Sequence, residues 1–119
     1  MLLSMMRVKL HSATVTECDL HYEGSVAIDR EVLDATGLLV GEEVHIWNVS
    51  SGSRIITYVI PGEPGSGAIA VNGAAARHFQ KGDTVIITSF AQMSHEEATE
   101  HKPTVAIMAK DNSIDRIIQ

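Results

Sequence analysis

The sequence is short of cysteine, of positive charge and of long apolar runs, and each shortage closes off a class of function. Cys18 is the only cysteine, which excludes an intrachain disulfide and a zinc site built on cysteines. Lysine and arginine total 9 against 15 acidic residues, a formal charge of −6. A nucleic-acid binder needs a basic face to neutralise phosphates, so that partner is not expected. No apolar stretch approaches the length of a membrane span, and no segment has the layout of a signal peptide. No membrane partner is expected, and the cytoplasm is the expected location. A phosphate-binding glycine loop and a Ser-His-Asp spacing are also missing. The histidines (His11, His21, His45, His78, His95, His101) are scattered without a paired ligand spacing, so no metal is expected.

What remains is an ordinary composition for one globular domain spanning residues 1–119, with 45% hydrophobic and 20% charged residues. Short strands dominate. "VKLHSATVT" (8–16) alternates apolar and polar residues as a half-buried strand does, and "VAID" (26–29) is a second, short apolar run. "REVLDATG" (30–37) predicts a short helix, capped by Asp29 and ended by Gly37. "EEVHIWNVS" (42–50) and "SRIITYVI" (53–60) predict a hairpin across "SGS", and "PGEPGSG" (61–67) a loop. "AAARHF" favours a helical turn or two; "DTVIITSFAQM" (83–93) and "TVAIMAK" (104–110) are strands separated by the polar "SHEEATEHKP". The C-terminal "DNSIDRIIQ" reads as a docking tail or a frayed end. Six or so strands with two helical turns predict a mainly β fold, a small closed barrel, with no repeats and no linker.

The Gly24-Ser25 pair in "HYEGSVAID" (21–29) sits where the chain passes from one strand to the next. It is either turn punctuation or a bond that the protein breaks in itself. A second constellation is suggested by period-two alternation. Lys9 and His11 share one face of the first strand, and Arg54 and Tyr58 share one face of a later one, with Thr57 opposite if that strand is regular. Two cations and a phenol beside Ser25 would suit a small dicarboxylate. The pattern alone leaves open whether they converge or merely face solvent, which is the commoner fate of such residues.

The stretch "VKLHSATVTECDLHYEGSVAID" resembles the processing segment of the pyruvoyl-dependent aspartate 1-decarboxylases. The likeness continues through "RIITYVIPGEPGSGAIAVNGAAARHFQKGDTVIITSFAQM" and "HKPTVAIMAKDNSI", in order and without a large insertion. It implies a six-stranded double-psi β-barrel, a homotetramer with active sites between subunits, and conversion of L-aspartate to β-alanine and carbon dioxide for pantothenate synthesis. It implies a covalent pyruvoyl group made from Ser25, which holds substrate as a Schiff base, and neither pyridoxal phosphate nor a metal. By the same resemblance the chain cleaves itself at Gly24-Ser25 into residues 1–24 and 25–119, and a maturation factor assists some members. A glycine on the acyl side of that bond leaves the carbonyl open and tolerates strain.

Carried over residue by residue, the likeness makes Tyr58 the proton donor, Arg54 a bidentate carboxylate clamp and Lys9 a second cation near the substrate. Thr57 and Gly73-Ala74-Ala75 match substrate contacts, the latter through amides at the start of a helical turn, where an anion is favoured. Thr57 also fits polarisation of the Gly24 carbonyl, and His11, Tyr22 and Asn72 fit supporting roles. For Asn72-Gly73 a plain hairpin turn is the alternative, and Trp47 and Cys18 read as packing residues. Another class competes: "AIDREVLDATGLLVGEEVHI" resembles the swapped-hairpin, DNA-binding transcription regulators, over about 20 residues and against the acidic charge. A barrel with an unreactive Gly-Ser, acting only as a binding module, is the third reading.

Overall fold

The computed structural model describes residues 1–119. Its strands are β1 (Leu2–Thr14), β2 (Glu17–Asp19), β3 (Ser25–Asp29), β4 (Glu43–Asn48), β5 (Arg54–Gly62), β6 (Ile69–Asn72), β7 (Thr84–Ser94), β8 (Thr104–Met108) and β9 (Ile114–Ile118). Helices α1 (Arg30–Thr36) and α2 (His95–Glu100) and a 3-10 helix (Gly73–His78) connect them. The hydrogen-bonded order is β2-β6-β3-β5-β4-β7-β1-β8-β9. β1 runs into β2 through Val15 and Thr16, which bond to Asp83 and Ile69 on either side, so the sheet closes on itself. With β1 and β2 counted as one, the ring has six members, and β8–β9 form a hairpin laid on β1. No helix is long and apolar enough to cross a membrane.

Alternation supplies the core. Val8 and Leu10 on β1, Val26 and Ile28 on β3, Val44 and Ile46 on β4, Val59, Val71, Val85 and Ile87 are each at most 1% exposed and form one cluster. β-branched residues dominate because they fit a pleated, buried face. Their outward neighbours are the residues that carry charge or hydroxyls.

Three expectations require correction. β1 begins at Leu2, six residues before the predicted start, because Arg7 is an extra residue between the pairs Met6↔Phe90 and Val8↔Ser89. That bulge resets the alternation on which the prediction relied. The C-terminal residues are neither tail nor frayed end: Ile114–Ile118 is strand β9, paired with β8. The polar separator "SHEEATEHKP" contains α2, started by a capping box in which Ser94 Oγ accepts from the Glu97 amide and Glu97 accepts from the Ser94 amide. Its Ser-x-x-Glu spacing was a readable signal. The hairpin β4–β5 and helix α1, capped by Asp29 and closed by Gly37, form as predicted.

Asp29 ends β3 and does more than cap α1. Its carboxylate accepts from the amides of Glu31 (2.9 Å), Gly65 (3.0 Å) and Gly67 (2.9 Å), clasping the 62–67 loop to the end of β3. Burial pushes this carboxyl up, but the Gly67, Glu31 and Gly65 amides outweigh it and hold the carboxyl below the ordinary aspartate range. A depressed folded pKa contributes stability above the unfolded value of about 3.9, and that contribution is lost as pH falls through the folded value. Asp29→Asn should therefore cost on the order of 2–3 kcal/mol at neutral pH. Denaturant melts should show its gap from wild type narrowing as the pH is lowered below about 4.

Candidate active site

Ser25 is the first residue of β3, which pairs parallel with β5 through Val26↔Val59 and antiparallel with β6 through Ser25↔Asn72. Continuing the parallel register back from Val26 sets Ser25 beside Tyr58 and Gly24 beside Thr57. Continuing the antiparallel register sets Gly24 beside Gly73. The Gly24-Ser25 peptide thus lies between Thr57-Tyr58 on one side and Asn72-Gly73 on the other. Ser25 is 1% exposed; its Oγ donates to the Glu23 carbonyl and accepts from Asn72 Nδ2, both at 3.4 Å. Asn72 is itself 6% exposed. A buried hydroxyl beside a glycyl carbonyl, with an amide donor aimed at it, can act as an internal nucleophile.

β5 pairs with β4 without a bulge from Arg54 to Tyr58, so Arg54, Ile56 and Tyr58 face outward and Thr57 faces the barrel interior with Val44. The predicted alternation therefore holds. Tyr58, 44% exposed, shares the outer face with Ser25. Arg54 lies about 13 Å further back along β5, four residues at strand rise, its guanidinium carbon 4.9 Å from the Trp47 ring centroid. That cation–π contact orients a side chain that would otherwise wander. Trp47, expected to be a packing residue, is half-buried on the outer face of β4 outside the core cluster, with Arg54 as its partner.

Gly73, Ala74 and Ala75 form the first half of the 3-10 helix, with Ala74 exposed. Asn72-Gly73 is accordingly not a hairpin turn. Tyr22, 55% exposed, lines a groove of about 340 Å³ with Ala27, Ile60, Ala70 and Asn72. Gly24 departs from expectation: its φ is outside the left-handed region and a Cβ there would meet nothing within 4 Å. Neither strain nor crowding within this chain demands glycine at that position.

Lys9 and His11 do share an outward face of β1, but the chain does not bring them to Ser25. Lys9 pairs with Thr88 on β7, which pairs with His45 on β4. It therefore sits three strand positions, about 14 Å, from β5. His11 Nδ1, buried, has no hydrogen-bond partner in the chain, nor has Thr88 Oγ1. Sequence reasoning missed Thr88, whose buried hydroxyl lies directly across from Lys9; being one threonine among many strand threonines, it carried no signal. Cys18 is half-buried, and burial, then Asp83 and Glu17, push its thiol up, which suits packing and not reactivity.

A family model described as aspartate decarboxylase matches residues 1–115. The aspartate 1-decarboxylase of Hyphomonas neptunium is 57% identical over 116 residues, covering 98% of each chain. That of Exiguobacterium sibiricum is 52% identical over 118 residues, covering 99% of this chain and 93% of its own. That of Bacillus licheniformis is 52% identical over 115 residues, covering 97% of this chain and 91% of its own. With a match over almost its whole length and Ser25 seated between two strands beside Asn72 and Tyr58, the chain belongs to the aspartate decarboxylase family.

Proposed function

We propose that this protein is a cytoplasmic aspartate 1-decarboxylase, converting L-aspartate to β-alanine and carbon dioxide for pantothenate synthesis, with a pyruvoyl group derived from Ser25. The placement of Ser25 carries the reading: a buried hydroxyl next to a glycyl carbonyl, held by Asn72 and flanked by a phenol. These residues fit such a group, because the hydroxyl of Ser25, the residue that would become it, is buried and held by Asn72 directly at the Gly24–Ser25 bond. Decarboxylation of an α-amino acid needs an electron sink, and a pyruvoyl ketone supplies that chemistry.

The chain's own residues would make the group. Ser25 Oγ attacks the Gly24 carbonyl, the Gly24–Ser25 amide bond breaks, and the serine nitrogen takes the hydroxyl proton, leaving an ester. Elimination then frees the Gly24 carboxylate, and hydrolysis at the new N-terminus releases ammonia. Thr57, beside Gly24 in register, is assigned to polarise its carbonyl. Asn72 orients the Ser25 oxygen, and Tyr22 is assigned a supporting role beside it.

In the decarboxylation, Arg54, about 13 Å from Tyr58 along β5, would clamp a substrate carboxylate from a second copy of the chain with two parallel N–H donors, and the Gly73-Ala74-Ala75 backbone would assist. Tyr58 delivers the proton to the former α-carbon. Lys9 and His11, three strands from β5, would act from a second copy of the chain in a homotetramer. A maturation factor would act, where needed, on the uncleaved chain. The regulator reading finds no support in a full-length match to decarboxylases, and the inert-barrel reading becomes the failure outcome of the test.

That test is β-alanine formation from L-aspartate. Wild type should form it, while Ser25→Ala should fold at a cost of about 1 kcal/mol for the lost bond to Asn72, stay uncleaved and form none. Turnover by Ser25→Ala would reject the pyruvoyl assignment. Tyr58→Phe should still cleave and bind, but its turnover should fall by roughly 10² to 10⁴, the usual worth of a positioned acid. Near-normal turnover on fully cleaved protein would hand proton delivery to another group.

A further inference from the structure

Three glycines leave no room for a side chain. A Cβ at Gly62 would lie 2.9 Å from the Ala68 Cβ, and one at Gly67 would lie 2.5 Å from the Asp111 carbonyl oxygen. Both contacts join structural segments. A Cβ at Gly73 would instead lie 2.7 Å from the Gly24 Cα, 2.8 Å from the Gly24 nitrogen and 3.1 Å from the Tyr22 carbonyl oxygen. All three neighbours are backbone, which cannot swing aside as a flexible side chain can. Gly73 also has φ +70°, the region that favours glycine.

The asymmetry with Gly24 is informative. The residue on the acyl side of the scissile bond has open space around its Cβ position, while the residue pressed against it has none. Consecutive residues of one segment thus hold the two sides of one peptide: Asn72 bonds to Ser25, and Gly73 packs against Gly24.

We infer that Gly73 is a positioning residue for self-cleavage, whose bare Cα forms the wall that fixes the Gly24 backbone within reach of Ser25 Oγ. This rests on the self-cleavage proposed above and adds a requirement at a residue otherwise assigned only to substrate contact. With a Cβ at position 73, either Gly24 or the 3-10 helix must shift. A displacement of about 1 Å at a reacting centre costs about 10²-fold in rate.

The experiment follows cleavage by intact mass in purified wild type, Gly73→Ala, Gly73→Asn and Gly82→Ala, each checked for folding by circular dichroism. Hydroxylamine is added in parallel to trap the ester between Gly24 and Ser25. Gly82 is the control because its φ is +93° and its Cβ position is open, so it carries the backbone strain without the contact. Asparagine tolerates the left-handed region better than alanine but still carries a Cβ.

The expected result is that both Gly73 variants fold, cleave about 10²-fold more slowly and yield less trapped ester, while Gly82→Ala cleaves as wild type does. Wild-type cleavage by Gly73→Ala, or recovery in Gly73→Asn, would overturn the inference. Failure of both Gly73 variants to fold while Gly82→Ala folds would overturn it too, in favour of a purely structural role. If wild type itself does not cleave, the self-cleavage reading fails and takes this inference with it.

Discussion

Pairing of β3 on both edges is the constraint on which the site depends. The strand has five residues, with β5 parallel on one side and β6 antiparallel on the other. Because both ladders run to its first residues, the chain entering β3 cannot choose its neighbours. The peptide before Ser25 is delivered between Thr57-Tyr58 and Asn72-Gly73. At the far end the Asp29 carboxylate takes three amides, fixing β3 against α1 and the loop that leads into β6. Asn112 reinforces the same loop: its side chain donates to the Gly67 and Thr14 carbonyls and accepts from the Thr14 amide. A slip of one residue in either ladder would turn Ser25 into the core.

Charge is distributed by the same alternation. The inner face is apolar apart from Thr57, and Lys9, His11, Arg54 and Tyr58 lie on the outer face, which also exposes Ile56 and Phe90. Arg54 is steadied by Trp47 and Tyr58 stands beside Ser25 in register. Lys9 and His11 occupy the outer face of β1, too far round the ring to meet them within one chain. The proposed assembly answers that separation, since one copy's β1 could meet another's β5.

Much of this was legible in the sequence, for local reasons. Helix α1 carries its start and stop within nine residues, as Asp29 and Gly37, and the β4–β5 hairpin carries its own turn. The common face of Arg54 and Tyr58 follows from period two on an unbulged strand. What could not be read depends on non-local pairing. The early start of β1 was hidden by the extra residue Arg7, and β9 exists only because β8 is there to receive it. Barrel closure through Val15 and Thr16 leaves no periodic trace. Ser25 was singled out by family resemblance, not by pattern. Its neighbours in space come from two segments, β5 and β6, whose registers no local signal encodes. The close approach of Gly73 to Gly24 was invisible for the same reason.

Whether the chain breaks at this peptide is the claim that the rest of the account stands on. The direct measurement is the intact mass of purified, denatured protein from a preparation that forms β-alanine. The account predicts two species, residues 1–24 and 25–119, the larger lighter by one ammonia than a chain beginning with serine. A single uncut chain of 12.9 kDa in such a preparation would contradict it.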